Sequence, residues 1–463
     1  MWIDLSGAPM MTRMNTLSRR HFLRSAVGGS LLLPGILHQL LAADASLADP
    51  LAPKPTHFPA KAKRVIFLFM TGGVSHIDTF DPKPNGKGRD GTGKDRLMGC
   101  VFPYRADYTT GIEVADIFSQ VRSRMQDICL LRSMKSAHFD HSEATLGMHT
   151  CSATFARPCL GSWLSYGLGT LNHNLPSFLV IAPKLPYGGT QIYANDFLPA
   201  IHQGTRLTPG QAPIPNLSPR TRTSGLQELE LAMANQLDRR HLADRSADSA
   251  LAARIHSFET AYRMQTAAPE AFDITGETDS TLRLYGLARG QTTGFGWQCL
   301  VARRLAERGV RFIELIHQGS DSAENWDAHS DIPRYASLAP EVDQPIAALL
   351  ADLGARGMLD ETLVVWATEF GRTPRRDGKM GRQHHGDAFS VWLAGGGVKG
   401  GTVHGKTDDR GYASVEGEVE VFDLHATILH QMGLDHKRLT YRHAGRDFRL
   451  TDVHGRVLDE ILA

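Results

Sequence analysis

Six short runs in this chain are mostly apolar and do not alternate regularly with polar residues: RVIFLFM at 64–70, DICLLRS from 127, SFLVIA from 177, VRFIELI from 310, TLVVWAT from 362 and FSVWLAG from 389. A strand with one wet face alternates, whereas a strand packed on both faces does not. The first reads as a continuous β-favouring run, and the others are similar. Helical patterns separate several of them. PEVDQPIAALLADLGARGML, for example, carries apolar residues at helical spacing and runs out near Gly357, just before the strand at 362. Strands alternating with helices predict an α/β fold, a three-layer α/β/α sandwich around a mostly parallel central sheet. With 463 residues, one large domain of this kind can hold the whole core.

The amino terminus reads differently. Ser18-Arg19-Arg20-His21-Phe22-Leu23-Arg24, a moderately apolar stretch and then Ala43-Asp44-Ala45 resemble a bacterial twin-arginine export signal with an A-x-A cleavage site. Gly28, Gly29, Pro34, Gly35 and His38 interrupt the apolar run, which falls short of the roughly 20 residues a spanning helix needs. The residues before Ser18 read as an upstream extension, with Met11 or Met14 as the start. The expected layout is a signal at 1–45, a linker at 46–63 and a domain at 64–463, with a loop and helical insertion at 187–300. Within the insertion, Tyr187 to Arg222 is rich in Gly, Pro and Thr and reads as a surface loop over the site. Gly225 to Ala268 is charged, Ala/Leu-rich and helical. The implied location is outside the cytoplasm, periplasmic or in the cell envelope, with the twin-arginine translocase as a partner and no stable membrane span.

A net charge of +1 gives no reason to expect nucleic acid. Five cysteines without CxxC spacing exclude a disulfide framework, although Cys151 and Cys159 could pair in an oxidising compartment. Histidine is plentiful at 21 residues, and it is the commonest metal ligand.

In parallel sheets, ligands bind beyond the carboxyl ends of the strands. Ser75, His76, Asp78 and Asp81 follow the first run; His138, Asp140, His141, Ser142 and His149 follow the second. His317, Asp327 and His329 follow the run at 310, and Glu369 and Arg372 the one at 362. His384 and His385 precede a strand, but they lie in the return from Glu369 and can fold over the same edge. Taken singly, each feature also fits turn or cap chemistry. Gly395 to Gly397 read as a tight strand exit, since no P-loop Lys-Ser/Thr follows. Together, Asp, Glu and His after several strand ends make an N/O site suited to Zn²⁺, Mn²⁺ or a similar ion.

The order of these features resembles the alkaline-phosphatase-like superfamily. LAPEVDQPIAALLADLGARGMLDETLVVWATEFGRTP, HHGDAFSVWLAGGGVKGGTVHG and VFDLHATILHQMGLD are similar to its later segments. The twin-arginine leader with GGVSHIDTFDPKP, WDAHSD, TEFGRTP and GGGVKGG resembles, more closely, one exported bacterial family of unknown function often labelled sulfatase-like. The resemblance implies an alkaline-phosphatase-like fold and one or two divalent cations (Zn, Mn or Ca). By position, Asp327 and His329 would bind one metal with His384 or His385, and Glu369 would stand where the superfamily has a metal Asp. His76 and Asp78 would replace the acid that normally follows the first strand. HSEATLGMHTC has the spacing of the sulfatase nucleophile helix, with His141 at the nucleophile, where the usual Cys, Ser or Thr is absent.

These readings imply an exported metal-dependent hydrolase of phosphate or sulfate esters, acting on an anionic ester such as a sulfated or phosphorylated glycan. Attack by a water activated at the metal ranks ahead of Ser142 activated by His141, or of His141 itself. Arg372 is expected to hold the anionic group. Of the two adjacent histidines, His385 is expected as the ligand and His384 as its neighbour acting on a carboxylate or the leaving group. The rival reading is an exported binding protein that kept the fold and lost the chemistry.

Overall fold

The computed structural model describes residues 51–84, 97–215, 224–243, 245, 249–318 and 325–463. All six apolar runs are strands: β1 (Arg64–Met70), β2 (Ile128–Lys135), β3 (Phe178–Ile181), β5 (Phe312–His317), β6 (Thr362–Ala367) and β7 (Phe389–Ala394). Three short strands join them: β4 (Thr205–Leu207), β8 (Thr402–His404) and β9 (Val419–Glu420). The nine-stranded sheet runs β8-β2-β7-β6-β1-β5-β3-β4, with β9 also on β2.

Strand β1 shows why the runs do not alternate. Val65 to Met70 are each 2% exposed or less. Val65, Phe67 and Phe69 share a cluster with Met148, Trp163, Leu164, Leu424 and Ile428. Those residues come from α1 (His141–Thr150), α2 (Leu160–Leu168) and α7 (Val421–Gln431). Ile66, Leu68 and Met70 share the opposite cluster with Leu300, Leu305, Val342, Ile346 and Leu349. These belong to α5 (Phe295–Glu307) and α6 (Tyr335–Ala355). Burying such side chains contributes about 1.5–3 kcal/mol each, so β1 alone supplies on the order of 10 kcal/mol against chain entropy.

One strand breaks the parallel pattern. β7 is antiparallel to both β2 and β6, while β1 is parallel to β5 and β6. The cause is the connection. A parallel return needs a crossover, usually a helix, and no helix lies between Ala367 and Phe389. The chain turns back on a two-residue ribbon, Gly371–Arg372 against His384–His385, and re-enters the sheet from the edge it has just left. The residues before β7 therefore lie where the parallel strands end.

The insertion is more structured than a loop. Its first part contains β4 and two short 3-10 turns, Gly189–Tyr193 and Ala200–His202. It continues into α3 (Ser224–Ala243) and α4 (Ser249–Phe272), whose Met264, Ala268, Ala271 and Phe272 join the core. Residues 51–63, expected as linker, run along the body: the amides of Lys61 and Ala62 both donate to the Gln431 carbonyl. All five cysteines are free, so Cys151 and Cys159 do not pair. The expected export signal lies outside the described residues. Among the described residues no helix is long and apolar enough to cross a membrane.

Three buried imidazoles are held neutral by burial: His76 and His425 are lowered to about 4 and His202 to about 3. A histidine whose folded pKa is depressed stabilises the fold above its unfolded value. That contribution is lost as pH falls toward the folded value, because only the unfolded chain takes the proton. Urea unfolding should therefore show stability falling steeply between pH 6.5 and 4, by on the order of 1–3 kcal/mol per histidine. His425→Gln should flatten part of that slope.

Candidate metal centre

Four side chains converge at the carboxyl edge: His141, Asp327, His329 and His384, whose nearest donor atoms all lie within 4.8 Å of one another. His141 is the first residue of α1, positioned by Asp140, whose carboxylate accepts from the Ser142 amide at 2.9 Å. Asp327 and His329 lie in the segment after β5. Trp326 fixes that segment: its amide donates to the Thr71 carbonyl at 3.0 Å and its carbonyl accepts from Tyr335 Oη at 2.8 Å. Gly72, at φ +115°, makes this approach possible, since a Cβ there would meet the Asp327 amide nitrogen at 2.5 Å. Gly381 is needed on the other side, where a Cβ would collide with the His329 carbonyl.

The spacing fits a small cation. Ligands about 2.0–2.1 Å from a tetrahedral ion stand roughly 3.3 Å apart. Asp327 Oδ1 lies 3.3, 3.0 and 3.4 Å from the Nε2 atoms of His141, His329 and His384, and the last two nitrogens are 2.8 Å apart. Metal-binding histidines are usually held through their other ring nitrogen, and two of these three are. His141 Nδ1 is 2.7 Å from Glu369 Oε1, and His384 Nδ1 is 2.7 Å from the Phe139 carbonyl. His329 Nδ1 faces Asp377 at a longer 3.8 Å. Asp327 Oδ1 accepts from Arg372 Nη2 at 2.6 Å. His141 Nε2 is buried without a hydrogen-bond partner, as an unused ligand atom would be.

Electrostatics agree with this geometry. Burial lowers the His141 pKa, but the adjacent Asp327 and Glu369 carboxylates outweigh it and raise the ring to about 9. Burial raises Asp327, yet bonds from His141, His384 and Arg372 hold it far below the usual carboxylate range. Burial lowers His329, assisted by the Arg372 and His384 charges and opposed by Asp327, so its lone pair stays available near neutrality.

The remaining expected site residues take other roles. Asp78 lies outside this cluster: Arg382 donates to it from Nε at 2.7 Å and Nη2 at 3.2 Å, and Ser75 Oγ at 2.5 Å. Both members of this ion pair are fully buried. His76 turns away, with Nε2 on the Gly411 carbonyl at 2.8 Å. His385 also points away, bonding the Tyr412 carbonyl. Adjacent strand residues face opposite sides, and the ribbon register turns His384, not His385, inward. Glu369 is committed to the Gly72 amide, the Thr368 hydroxyl and His141, so it orients a ligand rather than binding beside it. Arg372 is fully buried and commits four of its five N–H groups to the Gly72, Gly73 and Arg382 carbonyls and to Asp327, so it presents no fork to an anion. Ser142 is exposed, and His141 Nδ1 engages Glu369, so His141 is not its base. Sequence reasoning missed Tyr187, whose ring stacks on His141 with centroids 4.2 Å apart and planes 15° apart. It also missed the Phe139 carbonyl and Asn325, since nothing in sequence marks a carbonyl or a distant stacking ring.

Fold and site together define a three-layer α/β protein with a cage of three imidazoles and one carboxylate at the carboxyl edge of its sheet. The chain belongs to the family described as "Protein of unknown function (DUF1501)", which it matches over residues 62–462. No curated protein matches it. Among solved structures it is similar to the lipoteichoic acid synthase LtaP from Listeria monocytogenes, at 8% identity over 88% of this chain and 80% of that one, TM-score 0.36. It is also similar to the phosphonate monoester hydrolase SpPMH from Silicibacter pomeroyi, at 12% identity over 86% and 76%, TM-score 0.39. A third is the alkaline phosphatase from the Antarctic bacterium TAB5, at 12% identity over 81% and 99%, TM-score 0.34.

The two adjacent histidines give a direct test. Replacing His384 by Ala should abolish tight Zn²⁺ binding in a calorimetric titration, while His385→Ala should leave affinity within a few-fold. Glu369→Gln, which weakens the hold on His141 Nδ1, should cost about 10 to 100-fold. Equal losses for His384→Ala and His385→Ala would remove the cage as drawn.

Proposed function

We propose that this chain is a metal-dependent hydrolase of phosphate or sulfate esters, with the cage of His141, Asp327, His329 and His384 as its centre. The convergence of those four donors, with outer bonds already holding His141, His384 and Asp327, carries the reading. Three imidazoles and one carboxylate suit Zn²⁺ or Mn²⁺ better than Ca²⁺, which takes six to eight oxygen ligands. A divalent ion there supplies Lewis acidity for an ester oxygen and for water at neutral pH. The centre is read as mononuclear, because Asp78 is neutralised by Arg382, His76 faces Gly411, and Glu369 is spent on Gly72, Thr368 and His141.

The chain's own residues then have defined tasks. Glu369 takes the Nδ1 hydrogen of His141 and leaves Nε2 toward the cage. The Phe139 carbonyl does the same for His384. Arg372 fixes the Asp327 carboxylate and offsets its charge. With His141 Nδ1 held by Glu369 and Nε2 turned to the cage, and with Ser142 exposed, neither offers a nucleophile, and attack falls to water. The substrate class is an anionic ester, with a sulfated or phosphorylated glycan as its leading form.

A specific observation favours a second reading, a non-enzymatic binding protein. Four protein donors close a tetrahedral ion, as structural sites do, whereas catalytic sites keep a position open. Metal analysis followed by turnover of 4-nitrophenyl phosphate and 4-nitrophenyl sulfate separates the two. The hydrolase reading expects one equivalent of metal and turnover of at least one ester, lost in Asp327→Ala. Stoichiometric metal without turnover of either ester would leave the binding protein.

Residues 1–45 are proposed as a twin-arginine export signal and the location as the periplasm or cell envelope. Arg19→Lys with Arg20→Lys should hold precursor in the cytoplasm, as fractionation and immunoblotting would show. Unchanged mature protein outside the cytoplasm would mean another signal acts.

A further inference from the structure

We propose that the Tyr187 hydroxyl donates a hydrogen bond to the anionic group of a ligand bound at the cage, which deepens the hydrolase reading and rests on it. The inference begins with Asn325. The Asp327 amide donates to Asn325 Oδ1 at 3.0 Å, which fixes the orientation of that side-chain amide. Its Nδ2 therefore faces Tyr187 Oη, also at 3.0 Å, and an NH₂ group can only donate. The phenol oxygen is thus the acceptor in that bond, and its own hydrogen remains to be given elsewhere. Among the described residues nothing accepts it.

Position supplies the rest. The Tyr187 ring lies flat on His141, a ligand of the cage, and Phe370 lies against the same imidazole with centroids 4.9 Å apart. The hydroxyl is tied through Asn325 to the main chain of Asp327, a second ligand. A half-buried hydroxyl anchored to two ligands of one cation, with its hydrogen free, is built to meet whatever that cation attracts. The need for such a donor is concrete. Arg372, the residue expected to hold the anion, is fully buried and turns four of its five N–H groups to the protein itself.

Tyr187→Phe removes the hydroxyl and keeps the stacked ring; Tyr187→Ala removes both. Both are to be titrated with Zn²⁺, and the zinc-loaded proteins with inorganic phosphate and with sulfate. The expected result for Tyr187→Phe is zinc affinity within about threefold of the parent and anion affinity reduced about 10 to 100-fold, the usual worth of a hydrogen bond to a charged group. Tyr187→Ala should lower zinc affinity as well, since His141 loses its stacking partner. Hydrolysis of 4-nitrophenyl esters by Tyr187→Phe should fall about 100 to 1,000-fold, as when one donor to a developing oxyanion is removed. Parental anion affinity in Tyr187→Phe would overturn the proposal, as would failure of the zinc-loaded parent to bind either anion. Binding of the anion by the parent without ester turnover would sink the hydrolase reading alone, and the titration would still decide the role of Tyr187.

Discussion

The candidate centre depends on one buried guanidinium. Arg372 is fully enclosed, and its donors reach the carbonyls of Gly72 and Gly73 after β1, the carbonyl of Arg382 across the ribbon, and the Asp327 carboxylate after β5. Three segments remote in sequence are thereby locked to one planar fork. Arginine suits this task because its five donors radiate at fixed angles and its charge cannot be titrated away. Enclosing a charge without partners costs several kcal/mol, so the arrangement tolerates no half-formed version. Arg382 repeats the device one step further out, pairing Asp78 and bonding the Met98, Gly99 and Thr373 carbonyls.

This architecture explains which parts of the molecule were legible in sequence. The six long strands were readable because burial on both faces leaves no polar positions to alternate. The strands at Thr205, Thr402 and Val419 span only two or three residues, too few for any period to show. Asp327, His329 and His384 were legible as a group because the carboxyl edge collects ligands in parallel sheets. His141 was visible by its place at a helix start, but as a would-be nucleophile; only the fold shows its Nδ1 held by Glu369 and its Nε2 among the other three donors.

The misread residues share a cause. Asp78 and His76 follow β1 as ligands might be expected to, yet Asp78 meets an arginine 304 residues away and His76 a carbonyl 335 residues away. Residue type and strand order carry no trace of such partners. The choice between His384 and His385 turned on the same limit. Alternation requires one to face inward and one outward, but the register against Gly371–Arg372 decides which, and that register is a tertiary fact.

The antiparallel strand β7 has a consequence for when a metal can be held. The four donors come from three segments, with three of the sheet's nine strands between His141 and Asp327 along the chain and His384 reached only after the chain has doubled back. The folded sheet, and not a local stretch of sequence, brings these segments together. Whatever binds only the finished fold also lowers its free energy. Any metal held by these four side chains would therefore share one linked equilibrium with the tertiary structure, and its scarcity would be felt as fragility of the whole domain.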